Sequence, residues 1–266
     1  MRNRECGRRR GLVSCIGLSL ALLAGGCSSR WREPFDKGVD AYRQGRFPQA
    51  VENLEKAAAA NPDSVEIRVY LANAYLKQYK PGSPAAAKAE EHLRKALEIE
   101  PSNKPAVESL AWLQLSEAQS RTRAAGKLAL LAQAANSYRK LTTLGPRDSN
   151  AFYWLGVVRW LEGHERLIEE RARLHLEPED EGPISDDRVR QDLGPIYDDA
   201  IGQLKRALEI DPGLRDAMVF MSFCIRDKAD LAASDDAYAQ ALRESNEWSQ
   251  KAQSAKTIEP SPSRTP

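Results

Sequence analysis

The chain has 266 residues, with 39 lysines and arginines against 38 aspartates and glutamates, and only four cysteines. The first 26 residues hold five of the basic side chains and one of the acidic ones, so the remainder carries 34 and 37, a net charge of −3. Because this remainder has no basic excess to neutralise phosphates, it lacks the charge balance of a nucleic-acid-binding protein.

The first 26 residues have the pattern of an export signal. An arginine-rich start is followed by the apolar run GLVSCIGLSLALLAGG and then by Cys27. The run is about 16 residues long, whereas a membrane-spanning helix needs roughly 20, so residues 1–26 are typical of a signal peptide. The sequence LLAGGCSS resembles the lipobox of bacterial lipoproteins, which implies cleavage before Cys27 and acylation of its thiol. The alternatives are a plain cleaved signal and an uncleaved anchor.

The residue after Cys27 bears on where such a lipoprotein would reside. It is Ser28 rather than aspartate, which by resemblance to Gram-negative sorting rules favours the outer membrane over the inner one. We therefore expect a lipid-anchored protein on the periplasmic face of the outer membrane, on the assumption of a Gram-negative host. With the leader removed and Cys27 acylated, Cys224 is the remaining thiol, and its apolar surroundings predict a buried, inert cysteine.

A helix-turn-helix pattern recurs from Trp31 onwards. In the first copy, Ala50, Leu54 and Ala57 are spaced by four and three residues, which places them on one face of a helix. A single pair of helices leaves an apolar face uncovered, so the copies are expected to stack. The predicted copies span residues 31–64, 65–103, 104–148, 149–214 and 215–255 of a 27–256 domain, which a disordered tail follows at 257–266.

The small and turn-forming residues of the first copy stand at fixed places. They are Gly38, Gly45, Ala50, Leu54, Ala57 and Pro62. This arrangement resembles tetratricopeptide repeat (TPR) proteins, whose unit is about 34 residues of helix-turn-helix. Ala72 and Ala111 depart from it by replacing the first glycine of the family pattern. The resemblance implies an all-α, right-handed α-solenoid of about five TPR-like units that ends in a divergent C-terminal capping helix.

A long insertion at 164–197 separates the two helices of the fourth copy. Its first part, HERLIEERARLHLE, continues helically, whereas EPEDEGPISDD is a loop by its proline, glycine and aspartate content. Insertions in repeat proteins often form part of a binding face. This one either covers the groove or extends one edge of the array. The alternative is a solvated excursion with a disordered middle.

The sequence holds no residue pattern typical of an enzyme. His92, His164 and His175 lie in three different contexts, and none of them belongs to an HExxH zinc motif. No phosphate-binding glycine loop, GxSxG elbow or paired CxxC is present. The acidic run of Glu177 and residues 179–181 lacks the spacing of an EF-hand and is interpreted as a solvated loop. We predict a non-catalytic protein with no metal, cofactor, small-molecule substrate or nucleic-acid partner.

The resemblance to TPR proteins also implies a binding surface. In that family the first helix of each unit lines a concave groove that binds a peptide or a partner protein. Aromatic and arginine side chains often carry most of the binding energy at interfaces. The alternative is that Trp112, Tyr153 and Trp160 merely pack between neighbouring units or against the insertion. The predicted groove residues are Tyr42, Arg43, Asn73, Lys77, Trp112, Tyr153, Trp160 and Phe223.

Together these patterns predict a protein–protein interaction scaffold anchored as a lipoprotein in the bacterial envelope, with an envelope protein or peptide as its partner. One alternative is an assembly factor, similar to a pilotin, for a secretion or pilus machine. Another is an accessory subunit of an enzyme that synthesises cell wall or polysaccharide. An enzyme that uses the acidic insertion would require metal-dependent activity.

Overall fold

The structure is a computed structural model that describes residues 30–177 and 182–255. Within these ranges the chain forms ten α-helices and no strand, which confirms the prediction of an all-α fold. The predicted leader, Cys27, the 257–266 tail and residues 179–181 lie outside the described residues. The helices are α1 (Arg32–Arg43), α2 (Phe47–Ala60), α3 (Val65–Leu76), α4 (Pro84–Ile99), α5 (Lys104–Ser120), α6 (Ala124–Leu144), α7 (Ser149–Arg173), α8 (Asp187–Ile210), α9 (Arg215–Ala229) and α10 (Asp235–Ser254).

Short turns both end one helix pair and begin the next. A proline follows directly after the C-cap of α2, α4, α6 and α8, where it cannot continue the helix. Two residues beyond Pro62, Ser64 accepts a hydrogen bond from the Ile67 amide, and Asn103 caps α5 in the same way. Asp148 accepts from two amides of α7. Each such cap contributes about 1 kcal/mol to the helix that it starts.

The helices stack in chain order. Each helix packs on the next one, and longer-range contacts join α1 to α3, α3 to α5 and α7 to α9. The array therefore grows by adding a helix pair to the preceding pair, as a solenoid does. No helix in the described part of the chain combines the length and the apolar character needed to cross a membrane.

Small residues allow the two helices of a pair to approach closely. A Cβ atom added at Gly38 would lie 2.6 Å from Leu54 Cγ, and one added at Gly156 would lie 2.7 Å from Leu204 Cγ. Both leucines are fully buried. In the first and fourth pairs alike, a glycine is therefore required where a buried leucine of the second helix occupies the space of its missing Cβ atom.

The insertion of the fourth pair lengthens both of its helices and packs against the fifth pair. Tyr197 lies fully buried in a small core with Leu167, Val189 and Leu193, and Leu231 from the α9–α10 turn completes that core. This arrangement corresponds to an extension of one edge of the array rather than to a solvated excursion.

Polar contacts also tie the insertion to the α9–α10 turn. Arg171 Nη1 lies 2.8 Å from Asp230 Oδ2, and the amide of Ile184 donates to the Asp230 carbonyl at 2.7 Å. Lys228 Nζ lies 2.5 Å from Asp198 Oδ1. Two of these contacts end on Asp230 and the third ends on Lys228 in the last turn of α9, so together they fix the fifth pair relative to the fourth.

The last helix has little apolar surface to bury. Among the residues of α10 only Ser245 and Ala252 are buried, and the Ser245 hydroxyl donates to the Ser222 carbonyl of α9 at 3.0 Å. A polar outer face of this kind is what the end of a helical array requires, because no further pair covers it.

Candidate partner-binding cleft

A cleft of about 700 Å³ lies between the first helices of the units. Its walls come from α1, α3, α5 and α7 and from two residues of α6, and we call it the central cleft. None of the described residues of the insertion lines it. The lining residues are Tyr42, Asn73, Leu76, Lys77, Lys104, Pro105, Glu108, Ser109, Trp112, Tyr138, Leu141, Asp148, Asn150, Ala151 and Trp154.

The aromatic walls of the cleft are each held by a second ring. Trp112 meets Tyr79 edge to face with ring centroids 5.4 Å apart, and Tyr138 stacks on Trp154 at 6.2 Å. Tyr42 packs edge to face against Phe47 of the next helix at 5.7 Å. Because these rings are already ordered, a ligand that contacts them loses little side-chain entropy on binding.

The polar groups of the cleft are distributed unevenly. Lys104 Nζ lies 2.7 Å from Asp148 Oδ2 and 3.5 Å from Glu108 Oε1, and the hydrogen bond to Asp148 raises the pKa of the Lys104 ammonium. Lys77 is exposed and has no ion pair within residues 30–177 and 182–255. The cleft thus presents an unpaired cation on α3 and a surplus carboxylate between α5 and α7.

Hydrogen-bonding side chains line the floor between these charges. The Ser109 hydroxyl donates to the Asn73 side-chain oxygen at 2.8 Å, which leaves the Asn73 amide hydrogens for another acceptor. Asn150 lines the same cleft from the start of α7. Groups of this kind can bind the backbone of a peptide.

Half of the predicted groove residues come together in this cleft. Tyr42, Asn73, Lys77 and Trp112 line it, whereas Arg43 is exposed outside it, with its guanidinium 3.9 Å from Asp40. The sequence reasoning missed four further lining residues of clear chemistry, because it considered only selected positions of the first helix in each unit. They are Lys104, Tyr138, Asp148 and Trp154.

The side chain of Tyr153 lies in the core rather than in the predicted groove. Its side chain is 8% exposed and lies between α7 and α9, with its ring 5.9 Å from that of Phe220. Burial raises the pKa of the Tyr153 phenol, and the negative charge of Asp216 adds to this effect. Tyr153 is therefore a core residue that packs neighbouring units together, as the alternative interpretation allowed.

The other two predicted residues lie in a separate group that we call the Asp227 cluster. The Trp160 indole donates to Asp227 Oδ2 at 2.8 Å, and His164 Nδ1 lies 2.9 Å from the same oxygen. Phe223, 43% exposed, packs with its ring 5.6 Å from Trp160, and Phe220 adjoins both rings. Neither Trp160 nor Phe223 lines the central cleft.

The described residues offer no site for a metal and no reactive thiol. No three His, Cys, Asp or Glu side chains in the described ranges are grouped in a way that could hold a metal ion. Cys224 is fully buried, which confirms its predicted burial, and that burial raises the pKa of its thiol. The thiolate needed for reactivity is correspondingly disfavoured.

His164 is expected to make the stability of the protein depend on pH. The hydrogen bond to Asp227 raises the pKa of His164, Glu165 adds to this effect, and Lys127 and burial oppose it. A raised folded-state pKa contributes stability below the unfolded value of about 6.5 and loses it as pH rises through the folded value. His164→Gln should therefore lower Tm more at about pH 5.5 than at about pH 8.5. Equal losses of Tm at both pH values would contradict a stabilising contact between protonated His164 and Asp227.

His92 provides the opposite case in the same molecule. It stacks on Tyr75 at 6.1 Å, and burial together with Arg68, Lys95 and Lys88 lowers its pKa, while Glu91 opposes this shift. A lowered folded-state pKa costs stability as pH falls below the unfolded value. The His92→Gln variant is thus the matched control for His164→Gln, because its effect on the pH dependence has the opposite sign.

The comparisons with known proteins agree with this architecture. Residues 35–104, which cover most of the first two helix pairs, match the family described as "Tetratricopeptide repeat". No curated protein matches the chain.

Several solved structures share the fold. One described as "Crystal structure of MamA protein" is 18% identical, with 87% of this chain and 99% of that chain covered and a TM-score of 0.54. "MamA 41-end from Desulfovibrio magneticus RS-1" is 14% identical, with 85% and 98% covered and a TM-score of 0.55. The stacked helix pairs, the small residues where those helices cross and these similarities establish a TPR-like helical solenoid, in which residues 35–104 carry the matching repeats.

Proposed function

We propose that the protein is a non-catalytic scaffold that binds a partner protein or peptide in the central cleft. The observation that carries this proposal is the set of pre-ordered aromatic walls around Trp112, beside an unpaired Lys77. Aromatic side chains in partly desolvated pockets are the usual centres of binding energy at protein interfaces. A cleft of about 700 Å³ accommodates a short peptide segment rather than a whole domain face.

The side chains of the cleft indicate which kind of peptide segment it would bind. An apolar or aromatic side chain suits the space between Trp112, Tyr138 and Trp154, and an anionic group suits Lys77. The Asn73 amide is available for a backbone carbonyl of the ligand. The surplus carboxylate near Lys104 disfavours a second anion at the α5–α7 end, so an acidic tail of uniform charge is a poor ligand.

The scaffold is proposed to act from a membrane surface. The arginine-rich leader, the lipobox-like sequence before Cys27 and Ser28 after it support export and acylation. In a Gram-negative host these features favour the periplasmic face of the outer membrane. Two or three acyl chains hold a protein stably on a bilayer, because each buried CH₂ group contributes about 0.8 kcal/mol. The partner is then an envelope protein that displays a segment of the stated chemistry.

Removal of the central aromatic anchor tests the binding site. Trp112→Ala is expected to weaken the binding of the partner by about 2 kcal/mol, which is roughly a 30-fold loss of affinity, because the walls of the cleft lose their central ring. The partner is captured from detergent-solubilised envelopes with the native protein, and its affinity for purified native and variant proteins is then measured by titration calorimetry.

Trp248→Ala is the control, because Trp248 lies on α10 and does not line the central cleft. Both variants are first compared with the native protein by circular dichroism. An equal loss of affinity in the two variants, or none in Trp112→Ala, would contradict a binding site at the central cleft.

A further inference from the structure

The N-terminal end of the helical array carries a local surplus of positive charge. Residues 30–46 contain five basic and three acidic side chains, although the chain after the leader is acidic overall. Lys37 pairs with Glu33, and Arg43 lies near Asp40. Arg30 and Arg32 have no acidic partner in the described part of the chain, and both are exposed. Unpaired arginines at this end suit an anionic surface.

In the sequence, Trp31 stands between these two arginines. Its indole packs 5.8 Å from the Phe35 ring, and the Arg32 guanidinium lies 5.7 Å from the centroid of the Trp31 ring. The side chain is only half-buried at the start of α1. Tryptophan flanked by arginine is typical of groups that reside at the boundary between lipid headgroups and water.

The sequence leaves little chain between this end and the proposed lipid anchor. Only Ser28, Ser29 and Arg30 separate Cys27 from Trp31. Four residue steps reach at most about 14 Å even when fully extended. If Cys27 carries acyl chains in the bilayer, Trp31 is therefore confined to the headgroup layer or its immediate surface.

We propose that the N-terminal end of the array, comprising Arg30, Trp31 and Arg32, binds the surface of an anionic phospholipid bilayer. This inference rests on the acylation of Cys27 in the proposed function. The acyl chains already provide the affinity, so the contact serves to orient the array. Since Tyr42 of α1 lines the central cleft, the α1 end of that cleft is then the end nearest to the membrane.

Fluorescence quenching by brominated lipids tests this contact. The acylated full-length protein is reconstituted into vesicles of phosphatidylethanolamine and phosphatidylglycerol, with or without bromine on the acyl chains. The native protein is expected to lose part of its tryptophan emission to the brominated lipid. Trp31→Phe, which keeps an aromatic ring against Phe35, should reduce this loss to the background level. Trp248→Phe, at the other end of the array, should leave the loss unchanged.

The outcomes separate the contact from the anchor. Acylation is measured first by the mass of the purified protein, and anchoring is measured by flotation with the vesicles. If an acylated protein floats but shows no quenching, or shows equal quenching in Trp31→Phe, the surface contact is overturned while the anchor stands. If the protein carries no acyl mass, the anchor fails, and the inference that depends on it fails as well.

Discussion

Gly156→Ala is expected to lower the free energy of unfolding by about 1–3 kcal/mol, although alanine is normally the better helix residue. The added Cβ would lie 2.7 Å from Leu204 Cγ and 3.2 Å from the Ala200 carbonyl oxygen. Leu204 is fully buried and the carbonyl belongs to the backbone, so neither can move aside without separating α7 from α8. Urea unfolding followed by circular dichroism measures the change.

A second glycine in the same helix pair provides the control. Gly202 lies inside α8, and a Cβ added there would meet no atom within 4 Å. Gly202→Ala should therefore stabilise the protein by about 0.5–1 kcal/mol, because it removes only the backbone entropy of glycine. If both variants changed stability in the same direction, the close crossing at Gly156 would not be the cause.

Tyr197→Ala is expected to lower the free energy of unfolding by about 3–5 kcal/mol, which is the range for removing a large buried aromatic ring. Tyr197 is fully buried, and its ring fills the space beside Gly163, where an added Cβ would lie 2.9 Å from the Tyr197 Cζ atom. Because Leu231 of the α9–α10 turn belongs to the same core, the loss should also loosen the fifth helix pair.

Hydrogen exchange distinguishes this coupling from a purely local defect. In Tyr197→Ala, amides around the α9–α10 turn should lose protection together with those of α8. Tyr197→Phe keeps the ring and is expected to cost far less. If Tyr197→Ala lowered the free energy of unfolding by less than about 1 kcal/mol, the core of the insertion would not stabilise the helical array.

Much of the fold follows from local sequence signals. The proline after α2, α4 and α6, together with the capping residue that follows it, defines where one helix ends and the next begins. The spacing of Ala50, Leu54 and Ala57 predicts the buried face of α2, and all three are fully buried. Such signals involve neighbouring residues, so periodicity and turn chemistry are enough to identify them.

The binding surface is harder to predict from the sequence, because the exposure of a side chain depends on contacts between residues that are distant in the chain. Tyr153 occupies a groove position by its place in the repeat, yet Phe220, 67 residues later, covers its ring. Tyr138 belongs to the second helix of its unit, yet it lines the cleft, where it stacks on Trp154 of the next unit. The core of the insertion depends on Leu231 from another unit, which no local pattern indicates.

Site-specific photo-crosslinking in native envelopes tests most directly whether the central cleft binds the partner. Lys77 lines the cleft, whereas Lys56 is exposed on α2 beside Glu52 and does not line it. With p-benzoyl-phenylalanine in place of Lys77, we expect one discrete adduct between the protein and its partner, and none with the same group in place of Lys56. An adduct at position 56 without one at position 77 would contradict binding in the central cleft.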